Sequence, residues 1–498
     1  MNTTLIGRKA EQDTFHSVYT SKRPEFVAIY GRRRVGKTFL VRQFFSAFSD
    51  ALFFNSTGMK DGTLEEQIAH FTEAMGSAFF GGVTPRGGAN WPKTFETLTK
   101  AIQGVPKPKK IVLFFDELPW MATKNSRLLQ SLDYYWNHHW SNDTRVKLIV
   151  CGSSASWIVK KIINSKGGLH NRVTRRIELK PFDLAETAEF LAVQGLRLNH
   201  AQVVQLYMAM GGIPFYLAAV TKGNSAAQTI EKIAFTRNGL LLDEFANLFS
   251  SLFAKAAPYV ELIRIIAKAR YGAAVEDIVR QSRRFSKGGR IAEKLEDLVR
   301  AGFILPFKPY KRAKKGVYYR VIDEYSLFYL AWIEPIRETL QEQSLEAGYW
   351  QGLQQSASWH AWSGCAFEAL CFKHLSPIRR KLEIPPTAIA HSWRYVPPKR
   401  SKDQGAQIDL LFDRRDGVIT LCEIKYSSGP FVIDKECARQ LKEKQRIFAT
   451  RARSRKQLAL AMVAANGVAD SLYAEELTGG VATLEDLFVS PRAVHKAA

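Results

Sequence analysis

Residues 25–38, EFVAIYGRRRVGKT, run an apolar strand straight into G-x-x-x-x-G-K-T, with Gly31, Gly36, Lys37 and Thr38 at the fixed positions. The helical pattern KTFLVRQFFSAF follows at once. Few short stretches restrict a fold as tightly. A glycine-rich turn between a strand and a helix N-terminus aims backbone N–H groups at one point, and the helix dipole favours an anion there. The segment Gly31, Arg32, Arg33, Arg34, Val35, Gly36, Lys37, Thr38 and Phe39 is therefore expected to wrap the phosphates of ATP. Lys37 would reach the β- and γ-phosphates, and the Thr38 hydroxyl would ligate Mg²⁺. Such a loop sits at the carboxyl edge of a parallel sheet. Alternating strands and helices are accordingly expected over residues 1–180, and ALFFNST, KKIVLFFDE and VKLIVCGSS supply further strand-like runs there.

Two of those runs end in polar chemistry. KIVLFFDE delivers Asp116 and Glu117 about eighty residues after the loop. Asp116 is expected to hold Mg²⁺, directly or through water, and Glu117 to polarise the attacking water as general base. LIVCGSS delivers Ser153, which either reaches the terminal phosphate or its attacking water, or caps the strand. Beyond it, GLHNRVTRRIELKPF carries Arg172, Arg175 and Arg176. Arg172 acts as an arginine finger if the chain forms a homo-oligomer; otherwise these arginines line a solvated or DNA-facing edge.

A second chemical centre is indicated far downstream. TLCEIKYSSG, residues 420–429, puts Glu423 and Lys425 on one face of an apolar strand, since side chains two apart share a face. Charge is buried only when it is paired or holds a metal. QIDLLFD carries Asp409 within an apolar run, thirteen residues separate it from Glu423, and SGCAFEALCFKHL places Glu368 on an apolar helix. Asp409 and Glu423 supply hard oxygen ligands for Mg²⁺, Lys425 orients a metal-bound water, and Glu368 completes the shell or positions the lysine. The set matches the PD-(D/E)XK nuclease pattern. A salt-bridged structural pair is the competing reading.

Charge points to a polyanionic partner. The chain of 498 residues has a net charge of +24, a field that favours nucleic acid, DNA first. SKGGRIAEKLEDLVRAGFILPFKPYKRAKKGVYYRVID reads as a recognition helix, a strand, a basic turn and a strand, the order of a winged helix. Lys287, Arg290 and Lys294 lie on or before the outer helix face, and Lys311, Arg312, Lys314 and Lys315 fill the turn, where they can bridge phosphates or merely keep the turn soluble. The helix ARQLKEKQRIFATRARSRK adds eight more cations beside the acidic site. The five cysteines form no CxxC and read as reduced core thiols, which predicts a cytoplasmic protein. No run approaches the ~18 apolar residues of a membrane span.

LIGRKAEQDTF, YGRRRVGKT, FFDELPW, CGSSAS and GGIPFYL together resemble the archaeal and bacterial P-loop ATPases of the AAA+/STAND type, close to the MNS clade, which often continue into a winged helix and a C-terminal nuclease-like domain. The resemblance implies that Ile6, Gly7 and Arg8 lie against the nucleotide base and that Pro214 contacts its base or sugar. The lid segment MAMGGIPFYLAAV offers no arginine as a second sensor, which favours a slow switch over a ring motor. The expected architecture is α/β throughout: a P-loop parallel-sheet ATPase core (1–180), a helical lid (181–250), a winged helix (251–335) and a restriction-endonuclease-like α/β domain with a helical connector (336–498). The expected function is ATP binding and hydrolysis coupled to Mg²⁺-dependent nucleic-acid cleavage. The alternative is a DNA-bound ATPase switch whose nuclease fold is inactive.

Overall fold

The computed structural model describes residues 5–164, 169, 171–286, 288–311, 316–343, 345–398, 401 and 403–489. Lys287, Arg312, Lys314 and Lys315 lie outside the described residues. The chain divides into two compact units. The first is Met1–Pro181 with the short pieces Leu252–Ala254 and Arg300–Gly302, and the second is the remainder.

The first unit is built on β1 (Glu25–Tyr30), β2 (Ala51–Thr57), β3 (Lys110–Asp116), β4 (Val146–Gly152) and β5 (Arg175–Glu178). All five run parallel in the order β2-β3-β4-β1-β5. β4 is buried along its whole length and β3 from Ile111 onward, which is why both read as unbroken apolar runs rather than alternating ones. β4 separates the strand of the glycine loop from the strand of Asp116, so the two motifs end at the same sheet edge with one strand between them.

β5 was not evident from the sequence, because only Ile177 of RRIE is buried. It matters to the loop. Gly31 has φ 148°, and a Cβ there would stand 2.2 Å from the Leu179 carbonyl oxygen, just beyond β5. That oxygen belongs to backbone and cannot turn aside. Gly31→Ala is therefore expected to destabilise the first unit by about 2 kcal/mol or more, read as a lowered urea midpoint with unchanged slope.

The second unit holds two sheets. β6 (Ala273–Ala274), β7 (Ile304–Phe307) and β8 (Tyr318–Val321) form an antiparallel sheet in the order β6-β8-β7. The helices Ala257–Lys268, Val275–Gln281 and Gly289–Arg300 accompany it in the chain. The larger sheet joins β9 (Ile389–Tyr395), β10 (Ala406–Asp413), β11 (Val418–Lys425), β12 (Gln457–Ala464) and β13 (Val481–Ala482) in the order β13-β12-β11-β10-β9. β9, β10 and β11 are antiparallel to one another; β11, β12 and β13 are parallel.

Alternation along β10 and β11 sends side chains to two cores. On one face Leu410, Phe412, Cys422 and Ile424 meet Phe367 and Leu370 of the helix Ala357–Lys373. On the other, Leu411, Ile419 and Leu421 meet Leu441 and Phe448 of the helix Lys435–Ala452. The first core also takes in Leu184, Val204, Tyr207 and Met208. The helical stretch after Pro181 thus shares its core with the C-terminal sheet, a pairing nearly two hundred residues apart in the chain. Among the described residues no helix is long and apolar enough to cross a membrane.

Candidate functional sites

In the first unit the glycine loop closes as the sequence requires. Gly36 adopts φ 92° at the helix N-terminus, so the chain turns into Lys37–Ser46 without a side chain in the way. Lys37 is buried, and its Nζ donates to the carbonyls of Gly31 (3.0 Å) and Arg32 (2.9 Å), which hold the ammonium over the loop. The Thr38 hydroxyl donates to Asp116 Oδ2 at 2.7 Å. Strand register puts Asp116 at the end of β3, where its Oδ1 accepts the Glu117 N–H. Glu117 takes φ 46°, and its carboxylate accepts both the N–H (3.0 Å) and the hydroxyl (2.6 Å) of Ser153.

Ser153, for which the sequence offers a phosphate contact or a strand cap, directs its donors at Glu117 and fixes that carboxylate. Gly7 and Arg8 both have positive φ, and Arg8 Nη2 donates to the Val35 carbonyl, which ties the Ile6-Gly7-Arg8 turn to the loop. Arg33 and Arg34 are half-buried, Phe39 is exposed, and Arg172 lies exposed after β4. Pro214 belongs to the second unit, where it opens the short helix Pro214–Leu217.

In the second unit the acidic residues gather where two strands part. The β10–β11 register is regular from Leu410↔Cys422 onward, and the β9–β10 register slips between Ile408 and Leu411, around Asp409. A bulge re-aims a side chain. Here Asp409 Oδ2 accepts the Ile424 N–H at 3.2 Å, and Oδ1 accepts the Gln407 amide at 2.8 Å. Glu423 is buried and accepts from Lys425 Nζ (2.9 Å) and from Lys444 Nζ (2.7 and 2.9 Å). Burial pushes the Glu423 carboxyl up, but Lys425 and Lys444 outweigh it, and the group stays below its usual range. Burial, then Glu423, holds Asp409 above its usual range. Glu368 is pushed up to about 7 by burial and by Asp409.

The sign of that last shift is testable. A carboxyl whose folded pKa lies above its unfolded value of 4.5 retains its proton in the native state. Stability is thus full below about pH 4.5 and declines as pH rises to about 7. The loss amounts to about 3 kcal/mol at most. Denaturation midpoints of the wild type should fall across this window relative to Glu368→Gln; parallel curves would place Glu368 in a solvated setting.

Several expected nucleic-acid contacts have other partners. Lys294, assigned to an outer helix face, donates to the Tyr259 hydroxyl at 2.9 Å and lies over its ring, while that hydroxyl donates to Asp297. Lys311 donates to the Arg453 carbonyl at 3.0 Å. Arg290 is exposed. On the basic helix and just after it, Lys442 pairs with Glu476, Arg446 with Glu443, Arg451 with Asp403 and Lys456 with Asp413. Lys444, one of eight cations in that stretch, reaches the acidic site. Trp393 packs on Phe448 in the core.

Residues 5–220 match a family described as an ATPase domain predominantly from Archaea. This segment is similar to that ATPase family and carries the phosphate loop described above. A relative from Methanocaldococcus jannaschii, described as uncharacterised, is 23% identical over 429 residues, which cover 85% of this chain and 87% of the relative. Among solved structures, the Walker-type ATPase of Pyrococcus abyssi aligns with TM-score 0.46 and 17% identity, covering 66% of this chain and 96% of that one. The ORC2 protein of Aeropyrum pernix, in its ADPNP–ADP complexes, aligns with TM-score 0.41 and 14% identity, covering 68% and 96%.

Magnesium suits the donors in both units. In the ATPase segment, the Thr38 hydroxyl and the Asp116 carboxylate already lie 2.7 Å apart, a hard-oxygen pair beside the phosphate loop. In the second unit burial first, then Asp409 at Glu368 and Glu423 at Asp409, holds two carboxyls up, a strain that a cation relieves. Among the described residues no group of three or more Asp, Glu, His and Cys is arranged as a metal cage. Mg²⁺ commonly takes only one or two carboxylates, with water and phosphate filling the rest.

Proposed function

We propose that the chain is an ATP-hydrolysing protein whose C-terminal sheet carries a Mg²⁺-dependent nuclease centre acting on DNA. On this reading residues 181–250 serve as the helical lid, 251–335 as a winged helix and 336–498 as the nuclease-like domain. Asp116 and Thr38 would hold the magnesium of ATP, with Glu117 as general base steadied by Ser153. Ile6, Gly7 and Arg8 would meet the nucleoside.

The observation that carries the nuclease assignment is the register slip between β9 and β10, where Asp409 turns its carboxylate to the Ile424 N–H, beside Glu423 and Lys425. A structural ion pair needs no such interruption of the ladder. When bound, Mg²⁺ supplies an acidified water and neutralises charge on the phosphate. Asp409 and Glu423 would hold it, and Lys425, drawn off Glu423, would orient the water.

The double claim on Glu423 by Lys425 and Lys444 favours a second reading, in which the nuclease fold binds DNA and the ATPase acts as a switch. Incubating purified full-length chain with supercoiled plasmid in Mg²⁺, with and without ATP, separates the two. Nicked or linear product supports the nuclease; retarded but intact plasmid supports the switch.

A further inference from the structure

Two arginines from the smaller sheet's segment face the acidic site. Arg270 precedes β6 and Arg320 lies on β8, and both line a cavity of about 230 Å³ together with Glu368, Asp409, Gln407 and Arg394. Arg270, Arg320 and Glu368 also line an adjoining cavity of about 380 Å³. The Arg320 guanidinium is held between two rings, 4.2 Å from the centre of Phe307 and 4.0 Å from that of Phe372. Its Nη2 donates to Ser392 Oγ at 3.1 Å, while its Nε is buried with no hydrogen-bond partner among the described residues. Burying a guanidinium N–H without an acceptor is costly. Neither arginine closes an ion pair with Glu368 or Asp409 among the described residues; the opposite charges face one another with the cavity between them.

We propose that Arg270 and Arg320 form a phosphate-holding side of the acidic site, so that one phosphodiester of a single DNA strand sits between their guanidinium groups and the Glu368 and Asp409 carboxylates. A phosphate offers acceptors to the guanidinium groups that line the cavity, and arginine recognises it through parallel N–H donors. The acids repel the same phosphate unless a cation stands between, which makes the cavity's two halves complementary: oxygens for a metal on one side, donors for an anion on the other. Cavity size selects the strand. It admits a phosphate and its sugar, whereas a duplex, whose major groove alone is about 12 Å wide, does not enter. The aromatic clamp on Arg320 keeps the planar fork in place, so little side-chain freedom remains to be lost on binding. This inference rests on the nuclease reading and adds to it: the proposed winged helix contributes to the nuclease site as well as to duplex contact.

The test uses the full chain with a fluorescein-labelled single-stranded oligodeoxynucleotide in calcium, read by anisotropy, and the same strand in magnesium, read by cleavage. Arg270→Ala changes an exposed side chain and should weaken strand affinity about tenfold or more, the loss of a charge-assisted contact, with an unchanged denaturation midpoint. Arg320→Lys keeps the charge, loses the fork and should show the same weakening; it also serves if Arg320→Ala fails to fold. Affinities within twofold of wild type for both variants overturn the phosphate site, even where the wild type cleaves. Weakened binding by variants of a wild type that never cleaves supports the phosphate site while the nuclease reading falls.

Discussion

Replacing Lys37 with alanine is expected to lower affinity for a fluorescent ATP analogue by about a hundredfold or more and to reduce phosphate release to background. The ammonium is buried and held by the Gly31 and Arg32 carbonyls, so the native loop already places a positive charge where the β- and γ-phosphates arrive. Alanine removes that charge and leaves both carbonyls without their donor. One pre-aligned electrostatic group at a phosphoryl centre is commonly worth about 10²–10³ in rate, and binding is lost with it. Retained affinity for the analogue would contradict the loop assignment. Asp116→Ala should spare more of the affinity, because the loop and Lys37 remain, yet remove turnover.

The second large effect is expected at Glu423. Glu423→Gln should abolish the proposed plasmid cleavage, a loss of about 10²–10³, because an amide cannot serve as an anionic ligand. It should also destabilise the second unit. Lys425 and Lys444, with side chains 34% and 30% exposed, would lose a shared carboxylate that is itself only 6% exposed. Removing one partner of a fully buried pair costs about 3–5 kcal/mol. The lysines' partial access to water lowers that to about 1–3 kcal/mol. A urea series on Glu423→Gln, Lys444→Met and the double variant measures the coupling. Unchanged cleavage by Glu423→Gln would move the metal elsewhere. Loss of stability alone, in a protein that never cleaves, would favour the switch reading.

The two sites were legible to different depths. The glycine loop could be read in full because its chemistry is backbone chemistry: residues that allow positive φ, a helix start and a lysine at fixed offset, all within eight positions. Asp116 was legible from the end of its apolar run. The partner of Ser153 was not, since β3 and β4 are adjacent only after the sheet forms and a strand-end serine reads the same whether it caps or ligates. β5 escaped notice because three of its four residues are exposed.

At the acidic site, Asp409, Glu368, Glu423 and Lys425 stood out as charges in apolar runs, an arrangement that costs free energy unless paired. Lys444 did not stand out among its neighbours in a basic helix. Only packing shows that it faces Glu423 while several of its neighbours pair with acids of the surface. Arg270 and Arg320 gave no local signal, because an arginine in a turn or in a short half-buried strand is ordinary.

The sequence by itself determined the chemistry that depends on short spacing: a phosphate loop, an acid at a strand end, and an acid–lysine pair on one strand face. These follow from φ restrictions, helix and strand periods, and the cost of buried charge, all of which act within a few residues. Tertiary structure alone decided which charges meet. It gave Glu423 a second lysine, turned Ser153 to Glu117, joined the helices after Pro181 to the C-terminal core, and brought two arginines opposite Glu368. Contacts of that kind depend on chain closure over 21 residues at the least, and no local preference encodes where such a loop returns.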